Sequence, residues 1–152
     1  MGYPDAKSEH AILELARQQA ECEDTLPETT ELELGKEQIF AARHEVLRVH
    51  MAKPVEEYLV QLVLASRAPT PYSKALARWI NYGASPRATI ALDRCSRAQA
   101  WLDGRDYVSP ADVQAVAFDV LRHRVLVSFE AEAEGMDADD VICELLKLIP
   151  VA

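Results

Sequence analysis

One arginine near a helix start is the residue of this sequence best placed to do chemistry. Ser85 can cap a helix, Pro86 fits the first helical position because its missing N–H would be unpaired there, and Arg87 follows at the second. The helix dipole disfavours a cation there by roughly 0.3–1 kcal/mol. A bound anion reverses this, because the guanidinium and backbone N–H groups can then converge on one phosphate. Two interpretations stay open: Arg87 binds a phosphate, or it is a surface arginine that turns back into water or pairs with an acid.

The sequence lacks the motifs of a complete catalytic site. It contains no G-x-x-x-x-G-K-[ST] phosphate loop, and no apolar strand that ends in paired acids to hold magnesium. G-x-S-x-G and H-E-x-x-H motifs are also missing. The histidines are scattered, and we interpret each as an ordinary surface or core-edge residue: His10, His44, His50 and His123. We therefore expect no catalysis and no metal site in this chain alone.

Composition predicts one globular domain that binds neither nucleic acid nor membranes. The 152 residues are 49% hydrophobic, which is enough to build a core. The net charge is −9, whereas a non-specific nucleic-acid or membrane-surface binder needs a basic face. Cys22, Cys95 and Cys143 form no C-x-x-C pair, so we expect buried, reduced thiols and a cytoplasmic location.

Apolar periodicity predicts a compact, mainly α-helical domain of about five to seven helices, with at most a short β-hairpin. The expected helices are Ser8–Cys22, Lys36–Val49, one from Pro54 to Pro69, Ser73–Asn81, one from Pro86 to Gly104, one starting at Pro110, and Ala138–Leu148. Val125–Phe129 is β-branched and aromatic, and could form a short strand. The acidic stretch from Glu23 to Gly35 is expected to be an exposed loop.

Each predicted helix has an apolar face that we expect to be buried. In the first helix, either Asp5 or Ser8 is the expected N-cap. Gly104 is expected to end its helix in a left-handed conformation, so that Gly104–Tyr107 forms a turn rather than a binding site. The faces expected to be buried include Ile12, Leu13 and Ala16; Val55, Tyr58, Leu59, Leu62 and Val63; Ala88, Ala91, Leu92, Cys95 and Leu102; and Val141, Ile142, Leu145, Leu146 and Ile149.

Several segments, taken in order, resemble the C-terminal lid of the MoxR family of AAA+ ATPases. They are Gly2–Pro4, Tyr82–Ala88, Gly104–Val113, Val120–Arg124 and Glu130–Gly135, and they are densest from Gly83 to Gly135. Ser66-Arg67 departs slightly from the Thr-Arg often found at that place in the family, and we leave open whether Arg67 is structural or an interface residue. Because Gly2–Pro4 is similar to the linker that leaves the ATPase core, the resemblance implies a piece of a longer protein.

The resemblance implies a role for the candidate site. Arg87 matches the sensor-2 arginine, which reaches the γ-phosphate of ATP held by the core, and Ser85 and Pro86 would aim it by fixing the helix start. Ala84 is included among the nucleotide-binding residues, and with Gly83 it could let the lid approach the nucleotide, although tight packing alone could explain both. The Walker A, Walker B, sensor 1 and arginine-finger motifs are expected upstream of Gly2.

The family also implies domain organisation and partners. Residues 1–35 are expected to be a linker, first helix and acidic loop, and residues 36–152 the main helical lid. The full-length protein would use ATP and Mg²⁺ in a ring of subunits, acting like a chaperone on other proteins, with von Willebrand A-domain proteins as possible partners. This chain alone is expected to hold no cofactor. The alternative is a stand-alone acidic helical domain that binds other proteins.

Overall fold

Helices dominate the computed structural model, which describes residues 5–21 and 34–151. The helices are α1 (Ala6–Glu21), α2 (Lys36–Arg48), α3 (Lys53–Arg67), α4 (Lys74–Trp79), α5 (Pro86–Leu102), α6 (Pro110–Leu121), α7 (Phe129–Ala133) and α8 (Ala138–Leu148). The strands are β1 (His50–Met51), β2 (Ile80–Tyr82), β3 (Tyr107–Val108) and β4 (Leu126–Val127). The mainly α class is confirmed. The described part has one helix more than expected, because the predicted strand Val125–Phe129 stops early and α7 begins at Phe129.

The chain divides into two units between Ile39 and Phe40. In the first unit, Asp5 caps α1, since its carboxylate accepts a hydrogen bond of 2.8 Å from the Ser8 N–H. Ile12 and Leu13, expected on a buried face, are 53% and 49% exposed, and Ala16 is exposed too. That expectation is wrong for the described residues, because periodicity identifies an apolar face but not what covers it. Most of the acidic stretch that follows, from Glu23 to Glu33, lies outside the described residues.

The core of the second unit lies among α3, α5, α6 and α8. Helix α5 packs on α3 and α6, and α8 packs on α3, α4 and α6. The five predicted apolar residues of α3 are all buried. Of the five predicted for the last helix, Val141, Ile142, Leu145 and Ile149 are buried, and Leu146 is half-buried. Both faces had an unbroken helical period, which is why the sequence predicted all but one of these residues as buried correctly.

Helix α5 buries a different face from the one predicted. Ala88 and Leu92 are fully buried as expected, but Cys95 is exposed and Leu102 is 72% exposed. The buried face continues instead through Ser96 and Ala100, so it follows an i, i+4 spacing. The buried Ser96 hydroxyl donates a hydrogen bond of 2.7 Å to the Leu92 carbonyl, which satisfies its polar group inside the core. Because Ser96 is polar, the apolar pattern of the sequence did not show that this face of α5 is buried.

Two short strand pairs join distant segments, in place of the single hairpin that the sequence allowed. Strand β1 pairs with β3 in parallel, and β2 pairs with β4 in antiparallel orientation, with Ile80 opposite Val127. Strand β2 lies just before the loop that leads into α5, and β3 lies just after the turn that ends α5. The two pairs therefore tether the chain on both sides of α5.

Candidate functional site

The start of α5 has the predicted backbone but not the predicted cap. Ser85 occupies the N-cap position with an extended backbone (φ −73°, ψ 169°), and Pro86 begins the helix. The Ser85 side chain makes no capping hydrogen bond, and the first turn contains no acid. The Ser85 carbonyl accepts a hydrogen bond from the Ala88 N–H at 2.8 Å. The N–H of Arg87 belongs to the first turn of α5, where no preceding helical carbonyl can accept a hydrogen bond from it. The positive end of the α5 dipole is therefore not compensated by an acidic side chain in the first turn.

Arg87 lies on the surface at this helix end. The Arg87 side chain is exposed, and its guanidinium forms no ion pair or hydrogen bond with any residue in the described ranges. Ser85 and Pro86 beside it are exposed as well. The guanidinium is therefore not used in the packing of the domain, and its hydrogen-bond donors remain available to an outside ligand.

The loop in front of α5 is held by the last residues of α3. The Ala84 N–H donates a hydrogen bond to the Ser66 hydroxyl at 3.0 Å, and the same hydroxyl donates to the Val63 carbonyl at 2.7 Å. The Arg67 Nε–H donates to the Ala84 carbonyl at 2.6 Å. We call this set of contacts between Ser66, Arg67, Gly83 and Ala84 the α3–α5 clamp. It gives Arg67 a structural contact within the domain, which the sequence left undecided.

Close packing accounts for the small residues of the clamp. Ala84 is fully buried, so its methyl group faces the core. A Cβ atom on Gly83 would lie 2.3 Å from the Ser66 carbonyl oxygen and 2.6 Å from the Arg67 Cα. Both backbone polar groups of Ala84 already have partners in α3. Ala84 and Gly83 therefore support the site from behind, while Ser85, Pro86 and Arg87 form its exposed surface.

Helix α6, which also begins with a Ser-Pro pair, has its N-terminal N–H groups satisfied by its own residues. The Asp112 carboxylate accepts hydrogen bonds of 2.7 Å from both the N–H and the hydroxyl of Ser109. Arg105 donates to the two Asp112 oxygens at 2.5 and 2.8 Å, and also to Asp103 at 2.8 Å. The hydrogen bond from Arg105 is the main cause that lowers the pKa of Asp112 to about 2, and the same contact raises the pKa of Arg105. At this helix the arginine is fully engaged, unlike Arg87.

The turn before α6 matches its prediction. Gly104 adopts φ +73°, and the Arg105 N–H donates to the Ala100 carbonyl at 2.9 Å, closing the end of α5. Arg105 is a structural part of this turn, because its guanidinium is bound to two carboxylates of the domain.

Metal-ligating side chains and cysteines were the other candidates for chemistry in the sequence. No group of His, Cys, Asp and Glu there is arranged to hold a metal ion. Cys95 is exposed and Cys143 half-buried, so the expectation of buried thiols is wrong for these two, while Cys22 lies outside the described residues. None of the described helices combines the length and apolar character needed to cross a lipid bilayer.

The clamp is the part of the site that sequence reasoning missed. Ser66 and Arg67 contact Ala84 across 18 and 17 positions of the chain. The spacing of residues within a segment indicates contacts between positions three or four apart, so it does not indicate that Ser66 and Arg67 contact Ala84. The available signal was Gly83 itself, because a glycine before a helix start can mark a close approach of two backbones.

Comparison with known proteins places this geometry in a family. The family model described as "AAA lid domain" matches residues 72–145, a range that includes the loop before α5 and all of α5 and α6. The chain is 33% identical to YeaC, an uncharacterised protein of Bacillus subtilis, over 99% of this chain and 43% of that protein. It is 37% identical to the chaperone MoxR1 of Mycobacterium tuberculosis, over 61% of this chain and 25% of MoxR1.

A solved structure agrees with the sequence relatives. The crystal structure of a protein described as an ATPase, from Cytophaga hutchinsonii, superposes with a TM-score of 0.80 and 34% identity. The match covers 100% of this chain and 45% of that protein. The chain thus spans less than half the length of these relatives. From the family model, the MoxR relatives and this structural match together, the chain belongs to the AAA lid domains of the MoxR-type AAA+ ATPases.

Proposed function

We propose that this chain closes the nucleotide site of a longer MoxR-type ATPase, and that Arg87 is its sensor-2 arginine. In this proposal the ATPase core lies upstream in the same polypeptide and holds ATP and Mg²⁺. Arg87 reaches from the lid to the γ-phosphate and stabilises the charge that develops on the transferred phosphoryl group. Movement of the lid would then couple the nucleotide state to work on other proteins.

The exposed and unpaired guanidinium of Arg87 is the observation that carries this proposal. A cation at the second position of a helix is unfavourable unless something compensates it, and neither a first-turn acid nor a side-chain cap is present in α5. A phosphate supplied from outside the domain would provide that compensation. The described residues offer no carboxylate cluster for Mg²⁺, so the metal would be held by groups of the core.

The relatives support the wider part of the proposal. One of them is named a chaperone, and the structural match is described as an ATPase. We propose that the full-length protein forms a ring of subunits and acts on partner proteins in a chaperone-like way, with von Willebrand A-domain proteins as the partner class to test. The lid alone would not hydrolyse ATP, because the phosphate-binding and metal-binding motifs are absent from its sequence.

The test is Arg87→Ala in the protein with its upstream core. We expect kcat for ATP hydrolysis to fall by about 10²–10³, as on loss of a donor aimed at developing charge, with a smaller change in nucleotide affinity. Stability should change by less than about 0.5 kcal/mol, because the side chain is exposed and unpaired. Arg94→Ala is the matched control, since Arg94 is another exposed arginine of α5. Unchanged hydrolysis in Arg87→Ala would remove the sensor-2 assignment.

A further inference from the structure

We propose that Ser66 and Arg67 are positioning residues for Arg87, acting through the α3–α5 clamp. This inference rests on the proposed sensor-2 function of Arg87. The two residues are consecutive at the end of α3, and they bind the two polar groups of a single residue, Ala84, that lies three positions before Arg87. The clamp therefore fixes both the position and the orientation of the chain that enters α5.

The clamp fixes the start of α5 in place of a side-chain N-cap hydrogen bond, which α5 lacks. A helix start is commonly fixed by an N-cap side chain that bonds to the first turn, but the Ser85 hydroxyl makes no such bond. The other long helix that begins with a Ser-Pro pair, α6, has its start fixed locally by Asp112. In α5 the same task falls to α3, whose Ser66 and Arg67 contact the residue just before the N-cap.

Burial makes this contact a firm one. Ser66 and Ala84 are both fully buried, and the Ser66 hydroxyl is held from the other side by the Val63 carbonyl. Losing one partner of a buried hydrogen bond leaves the other unsatisfied, which costs more than the bond itself contributes. Gly83 adds a steric limit, because its Cα lies so close to the α3 backbone that no Cβ can be accommodated. The loop therefore has little freedom to shift while the clamp is closed.

If the start of α5 were displaced, the rate of ATP hydrolysis should change more than the affinity for the nucleotide. Arg87 acts at the end of a long side chain, so a small shift of its backbone moves the guanidinium away from the phosphate. A misplacement of about 1 Å can cost on the order of 100-fold in rate, even when caused from a distance. Most of the contacts to the nucleotide would come from the core. The clamp should therefore control kcat and leave KM largely unchanged.

The experiment is a double-mutant cycle for ATP hydrolysis in the protein with its upstream core. Ser66→Ala should lower kcat by about tenfold or more with KM within about twofold, and Arg67→Ala should act in the same direction. Ser66→Thr keeps the hydroxyl and should retain most of the activity. In the Arg87→Ala background, Ser66→Ala should have no further effect on kcat, because the residue it positions is already gone. Arg94→Ala serves as the control for loss of an exposed positive charge.

The possible outcomes separate this inference from the proposed function. If Arg87→Ala does not change hydrolysis, the sensor-2 assignment fails and this inference fails with it. If Arg87→Ala impairs hydrolysis but Ser66→Ala and Arg67→Ala do not, only the positioning role is refuted. An equal loss from Ser66→Ala with and without Arg87 also refutes it, since that result indicates a general structural effect. Should thermal unfolding show that Ser66→Ala does not fold, the cycle with Arg67→Ala decides the question.

Discussion

Replacing Gly83 with alanine tests whether the loop before α5 lies as close to α3 as the structure places it. The added Cβ would lie 2.3 Å from the Ser66 carbonyl oxygen, 2.4 Å from the Ser66 carbonyl carbon and 2.6 Å from the Arg67 Cα. All three are backbone atoms of a helix, so none can turn aside as the end of a flexible side chain could. The loop must therefore move away from α3, and the hydrogen bonds of Ala84 to Ser66 and Arg67 must lengthen or break.

The expected cost follows from these contacts. Forcing an extra carbon into a well-packed interior costs about 1–3 kcal/mol, and each weakened hydrogen bond adds about 0.5–1.5 kcal/mol. These effects overlap, so we expect Gly83→Ala to lower the free energy of unfolding by about 2–4 kcal/mol. For a domain of this size the melting temperature should fall by about 10 °C.

Thermal and urea unfolding of the 152-residue chain, followed by circular dichroism, provide the measurement. Gly35→Ala is the matched control, because a Cβ on Gly35 meets only the Gln38 side-chain oxygen at an ordinary 3.6 Å, and Gly35 is not among the glycines with positive φ. Gly35 is the N-cap of α2, where alanine is a poorer residue than glycine, so the control should cost no more than about 1 kcal/mol. If Gly83→Ala unfolds at the same temperature and urea concentration as Gly35→Ala, the close approach of the two backbones, and the clamp with it, is refuted.

Two further predictions concern the scaffold around the site. Because the folded pKa of Asp112 is about 2, below its ordinary 3.8, the hydrogen bonds to its carboxylate from Arg105 and Ser109 should together stabilise the fold by about 2 kcal/mol above pH 4. This contribution should be lost as the pH falls towards 2. Asp112→Asn should remove that part of the pH dependence in acid unfolding, and an unchanged profile would contradict the pairing. Leu145→Ala should lower stability by about 2–5 kcal/mol in chemical unfolding, because Leu145 is fully buried. Leu102→Ala, with Leu102 72% exposed, should cost less than about 0.5 kcal/mol, and equal losses would refute the packing described for α5 and α8.

Helix boundaries marked by local chemistry could be predicted from sequence. The Ser85-Pro86 pair placed the start of α5, and Gly104 placed its end in the left-handed conformation that was expected. Helix α8 has the predicted bounds, Ala138–Leu148, and its start is fixed by Asp137. These signals work because caps, proline and glycine act on backbone groups within three or four residues of themselves.

Buried faces were predicted correctly only where the apolar pattern was complete. In α3 the apolar pattern was complete, and all five residues of its predicted apolar face are buried. In α5 the buried face passes through Ser96, whose hydroxyl is satisfied by its own helix, and this shifted the prediction onto Cys95 and Leu102. A sequence pattern does not show which polar side chains find partners inside a core, because that depends on the local backbone and its neighbours.

From the sequence alone came the mainly helical class, the arginine at the mouth of α5 and the resemblance to MoxR lids. Three features were decided by the tertiary structure: that the Arg87 guanidinium stays free of the domain's own packing, that β2 and β4 pair, and that Ser66 and Arg67 hold Ala84. The physical reason is distance along the chain. Ser66 and Ala84 lie 18 residues apart and meet only because α3 and α5 pack together, so their contact is a property of the folded domain and not of any local segment.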